Sequence, residues 1–238
     1  LLETALDPRD KHVRSSAAPA ALVNRVQAAG LLMLAIHELP APAADLLEQA
    51  DPLANYVRQQ VQGDGSLHAG VENSRPEGSA AAQAEAALVW SGPALYGLMR
   101  SQLSRPAAWK LEAVRKACPH YYGLWKQHKT LAGLSWHMAA YAEAHAQTKE
   151  KAFAQAVLDM GDWLAGQHYG ADDPRRRRWA GGFHGGVAGQ GPGIRTAQSA
   201  EGLAQACRGA AAAEGGAGPP ASPASPAPRA RTLEKSTA

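Results

Sequence analysis

Apolar positions recur along most of the chain at steps of three and four, the spacing that lines up one face of a helix. Between Ala20 and Leu39 the series runs Leu22, Val26, Ala29, Leu32 and Ile36. Pro40 and Pro42 end it. A second helix is expected from about Ala43 to Val61, with Leu46, Ala50, Leu53, Val57 and Val61 on its stripe and Glu48, Asn55 and Arg58 away from it. Asp45 and Glu48 stand at the spacing of a capping box at its start. A polar loop, Gln62 to roughly Gly78, follows. The next apolar stretch contains Ser91-Gly92-Pro93, and proline suits a first helical turn better than an interior. The pattern therefore predicts a short Ala-rich segment to Trp90 and a new helix from Pro93 to Gln102. Further helices are expected over 107–127, kinked at Pro119, over 131–147, over 149–168, and over 196–207 after a Gly- and Arg-rich loop, Tyr169 to Arg195. No segment alternates as a strand, and residues 1–19 read as irregular. From about Arg208 Ala, Gly, Pro and Ser dominate, so 208–238 is expected to be a disordered tail.

The helices are of two kinds, and they alternate. Those over 43–61, 107–127 and 149–168 are amphipathic with a charged outer face; those over 20–39, 93–102, 131–147 and 196–207 are small, apolar and nearly uncharged. An amphipathic helix covers a core, and one that is apolar all round lies inside. The expected fold class is therefore all-α: antiparallel helix hairpins in an inner and an outer layer, repeating about every 50 to 60 residues over 20–207. Both long loops follow an outer helix and precede an inner one. They fall at one end of such an array, and a pocket is expected at that end, which bears Gly65, Gly133 and Gly182.

Two segments carry a family likeness. Tyr56-Val57-Arg58-Gln59-Gln60 is followed by Gly63-Asp64-Gly65-Ser66-Leu67, and Trp163-Leu164-Ala165-Gly166-Gln167 by Trp179-Ala180-Gly181-Gly182-Phe183. Each resembles a degenerate QW motif of the terpene cyclases and prenyltransferase β subunits. There an aromatic-x-x-x-Gln closes an outer helix and a Gly-rich turn leads inward. The resemblance implies an arc of an α/α toroid, with the Gln amide tethering the turn to the helix end. Sugar epimerases and unsaturated-uronyl hydrolases share the architecture. The chain departs from the cyclases in lacking their aspartate-rich acid motif: its only Asp pair is Asp172-Asp173, in a loop. No zinc set of the prenyltransferase kind is recognisable. A closed ring also needs more helix pairs than this sequence supplies, which suggests a fragment or an open arc.

Composition narrows the chemistry. A net charge of +3 on 238 residues gives no reason to expect nucleic acid as a partner. No apolar run reaches the length of a membrane span; the longest, Ala28 to Ile36, has the size of a core segment. Cys118 and Cys207 form no metal or disulfide framework, so a reducing, cytoplasmic setting is expected, with an unknown small molecule or protein as partner. No cofactor and no metal site is expected. His168, Asp172, Asp173 and His184 share a loop without the spacing of a metal motif.

The candidate site residues lie on inner helices and on the second long loop. His137 and Tyr141, four apart, share a helical face; pointed into a central cavity, the imidazole can act as acid, base or sugar clamp. The alternative is a hydrogen-bonded packing histidine. Glu201 is an acid on an otherwise uncharged helix, and Glu38 and Glu143 hold similar late positions, which suits either catalysis or a repeated structural bond. Trp136 and Tyr96 are candidate ligand platforms. Arg175 to Arg178 with Trp179 can grip an anion, or form a solvated loop tip; His184 lies in the glycine-rich stretch beside them.

Overall fold

The computed structural model describes residues 3–19, 22–68, 78–169, 182–183, 204 and 207. Among them are six helices: α1 (Arg25–His37), α2 (Ala44–Gln60), α3 (Ala80–Ser104), α4 (Ala108–Gln127), α5 (Leu134–Thr148) and α6 (Lys151–Ala165). A two-stranded antiparallel sheet, β1 (Thr4–Leu6) and β2 (Arg14–Ser16), precedes them. The protein is mostly helical.

The helices sort into two layers. α3 lies between α1 and α5, and its packing against those two is the most extensive in the molecule. α2 covers α1 and touches α3, α4 covers α3 and touches α5, and α6 covers α5 and touches α4. The charge pattern explains the sorting. α2 buries only one stripe, Ala50, Leu53, Ala54, Tyr56 and Val57, and α6 buries Phe153, Val157, Met160 and Leu164 with their neighbours. α5 is buried on most of its surface, from Leu134 to His145. Each large apolar side chain fully withdrawn from water contributes roughly 1.5–3 kcal/mol. A helix with charges on one side keeps most of that gain only in an outer position.

The tripeptide Ser91-Gly92-Pro93 does not break the chain: α3 runs unbroken through it. The small residues serve close helix packing instead. A Cβ on Gly92 would lie 2.7 Å from the Trp136 Cβ on α5, and one on Gly30 of α1 would lie 2.4 Å from the Ala94 nitrogen. The carbonyls around the proline find other donors: Ser91 Oγ donates to the Ala87 oxygen at 2.6 Å, and His137 Nε2 lies 3.1 Å from the Leu88 oxygen. A helix tolerates proline when neighbours take up the carbonyls it disturbs. Pro119 likewise sits inside an unbroken α4.

Two further expectations are corrected. The described part of the segment, 3–19, is not irregular but carries the β1–β2 hairpin, closed by a turn in which Asp10 accepts from the His12 amide. Val13 and Ser16 are buried beneath it. Strands of three residues are too short to show alternation. The capping box does not form either: α2 begins at Ala43 with no side-chain cap, and Asp45 lies inside the first turn. The loop over 169–195, the helix over 196–207 and the tail over 208–238 lie largely outside the described residues.

The segments after α2 and α6 each carry an isolated antiparallel bridge and a glutamine bonded to its own helix end. After α2, Val61 pairs in an antiparallel bridge with Leu67; after α6, His168 pairs with Phe183. Gln60 Nε2 donates to the Tyr56 carbonyl and Gln167 Nε2 to the Trp163 carbonyl, each at 3.4 Å. The amide thus satisfies a carbonyl of its own helix end. The turn itself is held by backbone bonds, Gln62 N–H to Ser66 O at 2.8 Å and Tyr169 N–H to Gly182 O at 2.7 Å. Gly65 is required in the first joint: its φ is +86°, and a Cβ there would meet the Lys116 carbonyl oxygen at 2.0 Å.

Candidate functional site

The side chains singled out on α5 part company. His137 and Tyr141 do not reach a cavity. Both are fully buried between the layers, beside Tyr121 of α4 and Phe153 of α6. His137 Nδ1 lies 3.1 Å from the Tyr141 hydroxyl, and its Nε2 lies 3.1 Å from the Leu88 carbonyl and 3.2 Å from Ser91 Oγ. One neutral tautomer satisfies all three: Nε2–H donates to Leu88 O and Ser91 Oγ, and Tyr141 O–H donates to Nδ1. Burial pushes the imidazole pKa down to about 4, against the opposing pull of the Leu88 carbonyl. The Tyr121 hydroxyl accepts from the Leu67 amide at 2.9 Å, which ties the first joint to the same network. The cluster holds its histidine neutral and out of contact with solvent. It joins α3, α4, α5 and the turn after α2.

Trp136 points to the other side of α5. Its ring lies 6.2 Å from that of Tyr96 on α3, tilted by 40°. Both are half-buried. One turn beyond Tyr96 stands Arg100, whose Nε lies 2.8 Å from Glu38 Oε1 and whose Nη1 lies 3.8 Å from Glu143 Oε2. Gln147 Nε2 donates to Glu143 at 3.5 Å. The late acids of α1 and α5 are therefore brought together, through an arginine that periodicity alone did not mark. The signal was there: Arg100 is the only cation inside α3, four residues after Tyr96. An ion pair this exposed contributes at most about 1 kcal/mol.

The two clefts that stand out lie elsewhere. The larger, about 650 Å³, runs between α2 and the α3–α4 turn and is lined by Asp51, Asn55, Arg105, Trp109 and Lys110 among others. It sits at the end of the helices opposite Gly65 and Gly133; much of the chain that would line the pocket expected at that other end lies outside the described residues. Across it, Arg105 Nη1 of the turn bonds Asp51 Oδ2 of α2 at 3.0 Å. The second, about 440 Å³, adjoins it through Asn55 and reaches the β1–β2 turn at Asp10 and His12.

Glu201, Arg178, Trp179 and His184 lie outside the described residues. Among the described residues no group of three or more His, Cys, Asp or Glu is placed to hold a metal ion, and no helix is long and apolar enough to cross a membrane. Cys118 and Cys207 are free, and burial pushes the Cys118 thiol up to about 12, where it is inert as a nucleophile. No family model, no curated protein and no solved structure matches this chain.

Proposed function

We propose that the chain is an arc of α/α-toroid hairpins of the terpene cyclase-like kind, and that it binds a small molecule on the inner helical face at Tyr96 and Trp136. The observation that carries this reading is the aromatic pair itself. Two large, half-buried rings from different inner helices meet there. Such rings offer apolar area and a negative π-face to a ligand. The layering of α1, α3 and α5 behind α2, α4 and α6, and the isolated antiparallel bridges after α2 and α6, support the toroid part. The reading is one of binding. The carboxylates of Glu38 and Glu143 are engaged by Arg100, and His137 is sealed in the core. A reducing, cytoplasmic setting suits the two free cysteines.

A carbohydrate ligand is the second reading, favoured by the polar groups one turn from the rings. Arg100, Glu143 and Gln147 can bond sugar hydroxyls while Trp136 stacks on the ring. Calorimetric titration with farnesol and with a glucose oligosaccharide separates the two. The preferred class should saturate, and Trp136→Ala should weaken it about tenfold, the worth of one lost ring contact. Equal binding by wild type and Trp136→Ala, or none by either class, sinks the site and leaves a noncatalytic helical scaffold.

A further inference from the structure

We propose that the cleft between α2 and the α3–α4 turn is a second, separate site, which takes a small organic anion with a flat body, an aryl carboxylate or aryl phosphate. Its volume of about 650 Å³ is that of an ordinary small-molecule site. Its charge is lopsided. Lys110 and Arg105 both line it, and Arg58 lies 5.0 Å from the centre of the Trp109 ring at its edge. Asp51 is the only carboxylate in the lining, and its Oδ2 is already bonded to Arg105 Nη1 at 3.0 Å.

Lys110 is the unusual member. It is 3% exposed, yet it is a cation. Its Nζ donates to Ser101 Oγ at 2.8 Å and to the Arg105 carbonyl at 2.7 Å, both neutral acceptors. An ammonium has three protons to give, and a buried charge is costly without a counter-charge. No carboxylate reaches it within ion-pair distance among the described residues; Asp51 helps only from farther away. Burial accordingly pulls the Lys110 pKa down. The neighbouring His37, whose Nδ1 lies 3.0 Å from Ser104 Oγ in the same lining, is also pulled down, first by burial and then by Lys110 and Arg100. His37 thus registers, after its burial, the positive charge of Lys110 and Arg100. Ala107 at the start of α4 provides no side-chain cap, so the helix end adds to that positive charge.

Trp109 decides the shape of the ligand. It is half-buried, lines the cleft and lies beside Arg58 and Lys110. A flat anion can lay its ring on the indole while its charge meets Lys110 and Arg105. Inorganic phosphate satisfies only the second contact.

The test is calorimetric titration of the full chain with benzoate, phenyl phosphate, inorganic phosphate and the uncharged benzamide. At least one aryl anion should saturate and bind about tenfold or more tightly than benzamide, a gap typical of a charge-assisted contact. Inorganic phosphate should bind more weakly than phenyl phosphate. Which aryl anion wins identifies the headgroup. Lys110→Met should abolish binding where its circular dichroism and melting point match wild type. Should it not fold, Asp51→Asn and Trp109→Ala decide. Removing the competing carboxylate in Asp51→Asn should tighten the anion several-fold, an effect opposite to the loss of a structural contact; Trp109→Ala should erase the preference for aryl over inorganic phosphate. Trp136→Ala should leave all of this unchanged, which keeps this site distinct from the inner face. Equal binding of benzamide, no saturation by any anion, or weaker binding in Asp51→Asn would overturn the proposal.

Discussion

Trp136 and His137 are neighbours in the chain, and α5 sends them to opposite worlds. Trp136 meets Tyr96 and stays half-buried; His137 disappears between the layers, where its ring atoms bond Leu88, Ser91 and Tyr141. One step along a helix turns a side chain by about 100°, which here is the difference between a half-buried ring and a structural pin. The lesson concerns polar residues on apolar helices. A histidine among alanines draws attention as chemistry, yet here it bonds the Leu88 carbonyl and the Tyr141 hydroxyl within the core. The plainer tryptophan keeps the half-buried position.

The largest expected effect falls on the buried side of that comparison. Gly133→Val should cost at least about 3 kcal/mol in chemical denaturation, because φ there is +70° and a Cβ would lie 2.3 Å from the Leu88 oxygen. His137→Phe should cost about 2–4 kcal/mol, by leaving the Leu88 carbonyl and Tyr141 hydroxyl unsatisfied. The same residue makes stability depend on pH. Its folded-state pKa of about 4 lies below the ordinary 6.5, so the unfolded chain takes up the proton first. The stabilisation is complete above about pH 6.5 and drains away as pH falls toward 4, by on the order of 3 kcal/mol from this group. Urea titrations of wild type and His137→Phe across that range should differ by that slope; parallel curves would mean the imidazole is not held neutral.

On the half-buried side the effects on stability should be small. Trp136→Ala should cost about 1–2 kcal/mol or less, since the ring is only half-buried, while lowering affinity for the inner-face ligand. A loss as large as that of His137→Phe would make Trp136 a core residue and break the comparison. The smallest effect is expected for Gln167→Ala. Its amide bonds only the carbonyl of Trp163 on its own helix, at 3.4 Å, so about 0.5 kcal/mol is the expected loss in melting experiments. A clearly larger loss would show that the glutamine restrains the turn after all.

Much of the architecture was legible before any coordinates. The stripes of α2 and α6, set against the nearly uncharged α1 and α5, marked outer and inner layers, because charge on a buried face is too costly to keep. The aromatic-x-x-x-Gln segments marked two helix ends that each carry an isolated antiparallel bridge. Other features were misread for identifiable reasons. Gly92-Pro93 looks like punctuation to a rule that sees one helix at a time, while the actual demand was room for Trp136 and for α1. Arg100 was passed over because its partners, Glu38 and Glu143, are remote in sequence. The clefts beside α2 were invisible because they are gaps between surfaces.

Sequence by itself determined that this chain forms amphipathic and apolar helices in alternation, with glycine where the backbone turns left-handed or crowds another strand of chain. Tertiary structure alone decided which side of α5 is fully covered, and therefore that His137 is sealed while Trp136 stays half-buried beside Tyr96. The physical reason is that periodicity records direction around one helix axis. What stands in that direction, a second layer or open space, is set by helices remote along the chain.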